Sequence, residues 1–258
     1  MSSRESRLTG LLDVLRFENG ATISDLAARL SVSPMTVRRD LALLEQQNQV
    51  RLLHGSVIFN PGGGADGKAE YTLTAAEAHH AEEKRRIGRA AAALIKAEDV
   101  VLIDTGTTTR QVAGFLPIGI HYTVICYNLN ILLPATQLKE VEILFAGGYY
   151  HENTAMFAST EGIDLIRNNR AGIAFVSAAG ISLKLGLTCA NAYETDTKRA
   201  AIGSSLRRVL LADSSKFDRI RPFHFADLSE FDTIITDTGV DDRHRKELQR
   251  MGIEVIEA

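Results

Sequence analysis

Two clusters of residues have the types and spacing to do chemistry. The first is S-P-M-T-V-R-R-D-L, Ser33–Leu41. Pro34 suits the first position of a helix and Ser33 its cap. At 100° per residue Val37, Leu41 and Leu44 then share an inward stripe. Met35, Arg39, Ala42 and Gln46 lie opposite, flanked by Thr36 and Arg38. An arginine such as Arg39 on that face suits bidentate pairing with guanine, worth about 1–3 kcal/mol of discrimination. Arg38, nearer the flank, suits a backbone phosphate, a contact that positions without reading sequence. The competing reading is a small helical docking domain with two solvated arginines.

The second cluster is D-T-G-T-T-T, comprising Asp104, Thr105, Gly106, Thr107, Thr108 and Thr109. A glycine-centred turn entering a helix aims several backbone N–H groups at one point. Helix dipole and threonine hydroxyls add to it, so the spot suits a phosphate. The motif lacks both G-K-[ST] and G-x-G-x-x-G, which excludes a Walker loop and a dinucleotide fingerprint. Further polar residues follow other β-rich runs: Asn128, Gly147-Gly148, S-A-A-G at Ser177–Gly180, and D-S-S-K at Asp213–Lys216. Asn128 and Asp213 suit sugar hydroxyls, Lys216 a phosphate, and the glycines a close approach of backbone to ligand. An ion pair within the loop explains Asp213 and Lys216 equally well. Asp104, Asp213, Glu83 and Glu194 are the carboxylates available to an alternative, a sugar-phosphate isomerase, which needs a general base. His79 and His80 point about 100° apart on a helix, so no metal site is expected.

These clusters need elements to hold them. Leu8, Leu11, Leu12 and Leu15 share one helix face. A second helix is expected from Ser24, as its cap, to Leu30, with three residues between it and Pro34, which is helix-turn-helix spacing. V-R-L-L-H-G-S-V-I-F (Val50–Phe59) reads as a hairpin wing turning at His54. The linker P-G-G-G-A-D-G-K (Pro61–Lys68) then divides the chain. Beyond it a helix is expected over Tyr71–Lys96. Strands follow at Asp99–Ile103, Tyr122–Cys126, Val141–Phe145, Ile173–Ser177, Arg208–Ala212, Asp232–Thr236 and Ile253–Ile256, most of them followed by a helical stretch. This alternation predicts a mostly parallel sheet with helices on both faces and a ligand beyond the strands' carboxyl ends. The expected organisation is residues 1–59 as a winged helix-turn-helix, 60–70 as linker and 71–258 as an α/β domain.

Composition sets bounds. In 258 residues, 45% hydrophobic and 24% charged usage excludes a disordered or fibrous chain. A net charge of −3 excludes coating nucleic acid by bulk positive charge, leaving a local basic patch. No apolar run reaches the ~20 residues of a membrane span, and M-S-S-R-E-S-R-L has no signal-peptide core, so a cytoplasmic protein is expected. Cys126 and Cys189 are too few for a disulfide scaffold or a structural zinc site.

S-V-S-P-M-T-V-R-R-D-L-A-L-L-E followed by R-L-L-H-G resembles the helix-turn-helix and wing of the DeoR family of bacterial repressors. This sequence has Ser56 where family members often carry a second glycine. E-E-K-R-R-I-G-R-A-A-A-A-L-I, D-T-G-T-T-T, F-A-G-G and L-L-A-D-S-S-K-F are similar to the sensor domain of that family. The resemblance covers essentially the whole chain. It implies a Rossmann-like α/β sensor domain similar in fold to ribose-5-phosphate isomerases. It places DNA contacts at Ser33, Met35, Thr36, Arg38, Arg39 and His54, and an effector phosphate at Thr105–Thr109 with Asp213 and Lys216. Lys84 and Lys198 join as candidates, the latter because T-D-T-K-R-A-A-I resembles the family's lysine-bearing helix. The implied partners are double-stranded operator DNA, a phosphorylated sugar and a second copy of the chain as dimer or higher oligomer, with no cofactor. Segments such as A-G-G-Y-Y-H-E-N-T-A-M-F and D-S-S-K-F-D-R-I-R-P resemble the branch of the family answering to deoxyribose-5-phosphate. That makes it the expected effector, with another sugar phosphate as the alternative.

Overall fold

Leu11 and Leu15 of α1 (Ser3–Glu18) are buried with Leu26 of α2 (Ile23–Arg29) and with Val37, Leu41 and Leu44 of α3 (Pro34–Gln46). The computed structural model describes residues 3–18, 20–47, 49–53, 56–59 and 80–258. The chain forms two compact units, Met1–Glu70 making most of the first and Tyr71–Phe217 with Phe223–Ala258 the second. The expected linker at 60–70 and the wing-tip residue His54 lie outside the described residues.

In the first unit β1 (Gly20–Thr22), β2 (Val50–Leu53) and β3 (Ser56–Phe59) form an antiparallel sheet in the order β1-β3-β2. The hairpin was legible, but three residues of G-A-T carry no strand periodicity of their own. The cap of α2 also differs from expectation. Thr22, not Ser24, accepts from the Asp25 amide at 3.1 Å, so the helix starts at Ile23. Ser33 does cap α3, accepting from the Thr36 amide at 3.1 Å.

The second unit opens with α4 (Ala81–Ala92). The expected helix end at Lys96 is therefore four residues too late, and Tyr71–His79 lie outside the described residues. Then come β4 (Val100–Ile103), α5 (Thr109–Val112), β5 (Tyr122–Cys126), α6 (Leu129–Ala135), β6 (Val141–Phe145), β7 (Tyr149–His151) and β8 (Met156–Ala158). The chain continues through α7 (Thr160–Asn168), β9 (Ala171–Ser177), β10 (Gly180–Ser182), β11 (Gly186–Cys189) and α8 (Ala192–Gly203). It ends with β12 (Ser205–Leu211), β13 (Phe223–Ala226), β14 (Thr233–Thr236), α9 (Asp242–Arg250) and β15 (Glu254–Glu257).

Among the described residues, seven of these strands form one parallel sheet in the order β15-β14-β12-β9-β4-β5-β6. Its strands are near-continuous apolar runs because both faces are covered. On one face Val101 and Ile103 pack with Ile87 of α4, Val112 of α5 and Ile131 of α6. On the other Leu102 packs with Ile166 of α7, Ala201 of α8 and Leu248 of α9. Strand order reverses between β4 and β9, so the loops leaving these neighbours part to opposite sides and open a crevice. The sequence reading lacked the β7–β8 hairpin and the small antiparallel sheet β10-β11-β13. Their strands are three or four residues long, too short for a pattern to stand out. Among the described residues no helix is long and apolar enough to cross a membrane.

Candidate functional site

The loop after β4 and the loop after β9 meet at the reversal of strand order. There a pocket is lined by Thr105, Gly106, Thr107 and Thr108 from the first and Ser177, Ala178 and Ala179 from the second. Thr154 from the β7–β8 turn, Glu194 and Lys198 from α8, and Lys216 after β12 complete the lining. Five segments far apart in sequence thus converge, three of them because the parallel sheet ends β4, β9 and β12 on one edge.

Asp104 is the post behind this pocket. It is fully buried, and its carboxylate accepts from the Ser177 amide at 2.8 Å, with the Ser177 hydroxyl oxygen 3.2 Å away. It also accepts from the Tyr127 hydroxyl and the Lys198 ammonium. Lys198, 2% exposed, donates as well to the Ser177 carbonyl at 3.1 Å. Burial by itself pushes the Lys198 pKa down, but Asp104 and Glu194 outweigh it and the ammonium is held above its ordinary value. Burial raises the Tyr127 pKa well above the usual phenol, with Asp104 adding to it. The phenol therefore stays a donor to the carboxylate.

Gly106 sits at φ 150°, a conformation L side chains rarely adopt. A Cβ there would lie 2.2 Å from the Ser177 hydroxyl, so only glycine lets the two loops close together. Ser177 in turn donates to the Thr105 carbonyl at 2.7 Å, and Thr105 to the Thr154 carbonyl at 2.8 Å. Thr109 spends its hydroxyl on the Gly106 carbonyl at 3.2 Å, whereas those of Thr107 and Thr108 hold no hydrogen bond among the described residues. The helix that follows is a single turn, Thr109–Val112, continued by a 3-10 turn. Its dipole is therefore a smaller contribution than the sequence implied, and what the loop can offer an anion is its amides and hydroxyls.

Several expected residues are placed elsewhere. Asn128 caps α6, accepting from the Ile131 amide at 3.0 Å and donating to the Ile103 carbonyl, and it does not line the pocket. Gly147 and Gly148 line a separate concavity with Tyr149, Ser159 and Leu165. Asp213 is fully buried behind Lys216, which lies 3.8 Å from its Oδ2, and Oδ1 accepts from the Ser215 amide. Both readings of that loop, ion pair and pocket cation, coexist in Lys216. Lys84 is buried in α4 away from the lining. Of the residues at the site, Thr154 has no counterpart in the sequence reading, Ser177 enters it only within the strand-end S-A-A-G, and Glu194 only as a base for the isomerase alternative. The position of Ser177 at a strand's carboxyl end was the available signal, while Thr154 in a short hairpin gave none.

On α3 of the first unit, Met35 is 61% exposed and Arg38, Arg39, Ala42 and Gln46 are exposed, opposite the buried stripe. Asp40 faces inward and pairs with Arg7 at 2.5 Å and Arg4 at 3.2 Å, tying α3 to α1. The two helix arginines that face solvent thus remain on the outer face.

The family described as the DeoR-like helix-turn-helix domain matches residues 7–61, and that of the DeoR C-terminal sensor domain matches residues 79–238. The chain is 32% identical over 253 residues to the deoxyribose operon repressor of Escherichia coli (strain K12), covering 98% of each. It is 30% identical over 253 residues to the HTH-type transcriptional repressor GlcR of Bacillus subtilis (strain 168), covering 98% of this chain and 96% of that one. Among solved structures, ribose 5-phosphate isomerase A from Methanocaldococcus jannaschii aligns over 54% of this chain and 55% of its own. That alignment has 16% identity and a TM-score of 0.39. The chain belongs to the DeoR family of DNA-binding transcriptional repressors, a regulator rather than an enzyme, with operator DNA and a small-molecule effector as its partners.

Proposed function

We propose that this protein represses a sugar or deoxynucleoside catabolic operon and is released from its operator by a phosphorylated sugar, deoxyribose-5-phosphate being the first candidate. The observation that carries this is the convergence of Thr105–Thr108, Ser177–Ala179, Glu194, Lys198 and Lys216 on one pocket at the switch point of the sheet. The amides and hydroxyls of the Thr105–Thr108 loop, with Lys216, suit a phosphate. Glu194 and Lys198 offer an acceptor and a donor to a hydroxylated carbon chain. On α3, Arg39 reads a base edge and Arg38, Thr36 and Ser33 hold phosphates, with Met35 against the groove wall. Helix-turn-helix readers span two half-sites as symmetric pairs, so the working form is a homo-oligomer in the cytoplasm.

The test is a thermal-shift panel of sugar phosphates and their unphosphorylated parents on the purified full chain. A ligand that binds the native state raises the melting temperature. A shift with deoxyribose-5-phosphate and none with deoxyribose supports the reading. A shift with a different sugar phosphate replaces the sugar, and silence across the panel overturns the effector site.

A further inference from the structure

The charges around the pocket do not balance, and the imbalance has one owner. Both cations that line it already face a carboxylate: Lys198 is paired with Asp104, and Lys216 lies 3.8 Å from Asp213. Glu194 is the remaining charged group of the lining. It is buried, at 6% exposure, on the first turn of α8. Its Oε1 accepts from the Asn191 amide at 3.1 Å and from the Asn191 side-chain amide at 2.9 Å. Its Oε2 holds no hydrogen bond among the described residues. The groups interacting with it are Lys198 on its own helix, Asp104 after β4, Tyr127 after β5 and Cys189 at the end of β11. Lys216 after β12 shares the lining with it.

Resting on the reading of this pocket as the effector site, we infer that Glu194 sets the charge class of the effector. Its carboxylate accepts from the neutral, hydroxyl-bearing end of a sugar monophosphate and rejects a ligand with a second anionic group, a phosphorylated sugar acid or a sugar bisphosphate. The phosphate is left to the threonine loop and Lys216. A hydroxyl donating to a carboxylate makes a charge-assisted hydrogen bond, whereas a second anion brought against a buried carboxylate meets repulsion that water does not screen. Asn191-x-x-Glu194 also serves as a helix cap, and in that role alone Glu194 would affect stability without affecting which ligands enter.

The sign of the pH effect separates the two roles. Burial raises the Glu194 pKa, against the opposing pull of Lys198 and Asn191, so the group takes up its proton at higher pH than an ordinary glutamate. Acidification therefore neutralises it and removes the repulsion.

The experiment is calorimetric titration of the full-length protein with three matched pairs. These are deoxyribose 5-phosphate, ribose 5-phosphate and glucose 6-phosphate, each against the aldonate in which its C1 aldehyde is a carboxylate. The wild-type protein is expected to favour the aldehyde member by about tenfold or more. In Glu194→Gln, which keeps the shape and an oxygen for Asn191, that ratio falls toward one because the acid gains. An unchanged ratio in a variant with native circular dichroism overturns the inference. Should the variant not fold, the same ratio in the wild-type protein from about pH 8 to about pH 4, below the ordinary glutamate value, decides. A shrinking ratio supports the inference and a constant one overturns it, since the sugar phosphate group titrates alike in both members of a pair. Binding of none of the six overturns the effector-site reading and this inference with it, an outcome distinct from binding with an unaltered preference.

Discussion

Lys198 and Asp104 are joined where almost no water reaches, and each is the other's paired charge. Removing one partner of a buried pair leaves an uncompensated charge and costs about 3–5 kcal/mol. Lys198→Met is therefore expected to lower the urea midpoint strongly, and the double variant with Asp104→Asn to recover part of the loss. Since the folded Lys198 pKa is raised, the pair's contribution is present at neutral pH and fades only as pH rises through that value. The cysteines are inert for a related reason. Burial raises Cys126 to about 12 and Cys189 to about 11, so both remain thiols far above neutrality. In native protein neither is expected to react with iodoacetamide at about pH 8, and both are expected to react in urea. Rapid labelling of the native chain would contradict that burial. At this scale the sequence showed Asp104 as a polar residue after a strand. It did not show that its partner is Lys198, because 94 residues separate them.

At the scale of elements, the proposed function rests on two short pieces of chain. The turn at Gly106 brings the β4 loop against Ser177, and Gly106→Ala forces a side chain into a conformation and a space that exclude it. A backbone cost of about 1–3 kcal/mol follows, and the sugar-phosphate thermal shift is expected to disappear while operator binding persists. On α3, Arg39→Ala is expected to lose about 1–3 kcal/mol of operator affinity, read by fluorescence anisotropy, with the effector response retained. Loss of both responses together would point to unfolding instead. Helix α3 was legible in full, because Ser33, Pro34 and the Val37-Leu41-Leu44 stripe mark its start and its buried side independently. The seven strands of the main sheet were legible as well, since burial on both faces writes the inner ones as apolar runs. The hairpin β7–β8 was not, and with it went Thr154, because three-residue strands are fixed by their surroundings rather than by their own pattern.

For the whole molecule, the proposed release of operator by effector implies one coupling free energy shared by the two ligands. If the sugar phosphate weakens operator binding by some factor, operator weakens sugar-phosphate binding by the same factor, with typical couplings of about 1–3 kcal/mol. Equal factors from the two titrations are the expected result, and unequal ones would mean that the two ligands do not share a single equilibrium. Lys216→Ala is expected to bind operator normally and to stop responding to effector, giving permanent repression in a reporter assay. Small-angle scattering of the protein is expected to show that effector changes the separation of the DNA-binding domains in the proposed homo-oligomer. An unchanged separation accompanied by operator release would place the coupling elsewhere.

The sequence by itself determined the class of the protein. Helix periodicity, caps, apolar strands and motifs such as T-V-R-R-D-L are local, and each is written within a dozen residues, where pattern and physics coincide. The tertiary structure decided the site. Which polar residues face a ligand depends on strand order and on the crossing of distant loops. Asn128 and Asp213, plausible in sequence, are spent on a helix cap and an ion pair, while Ser177, Thr154 and Glu194 reach the pocket. Asn191-x-x-Glu194 illustrates the reason: its spacing announces a helix cap, and only the tertiary fold at the sheet's reversal brings the same carboxylate into the pocket lining.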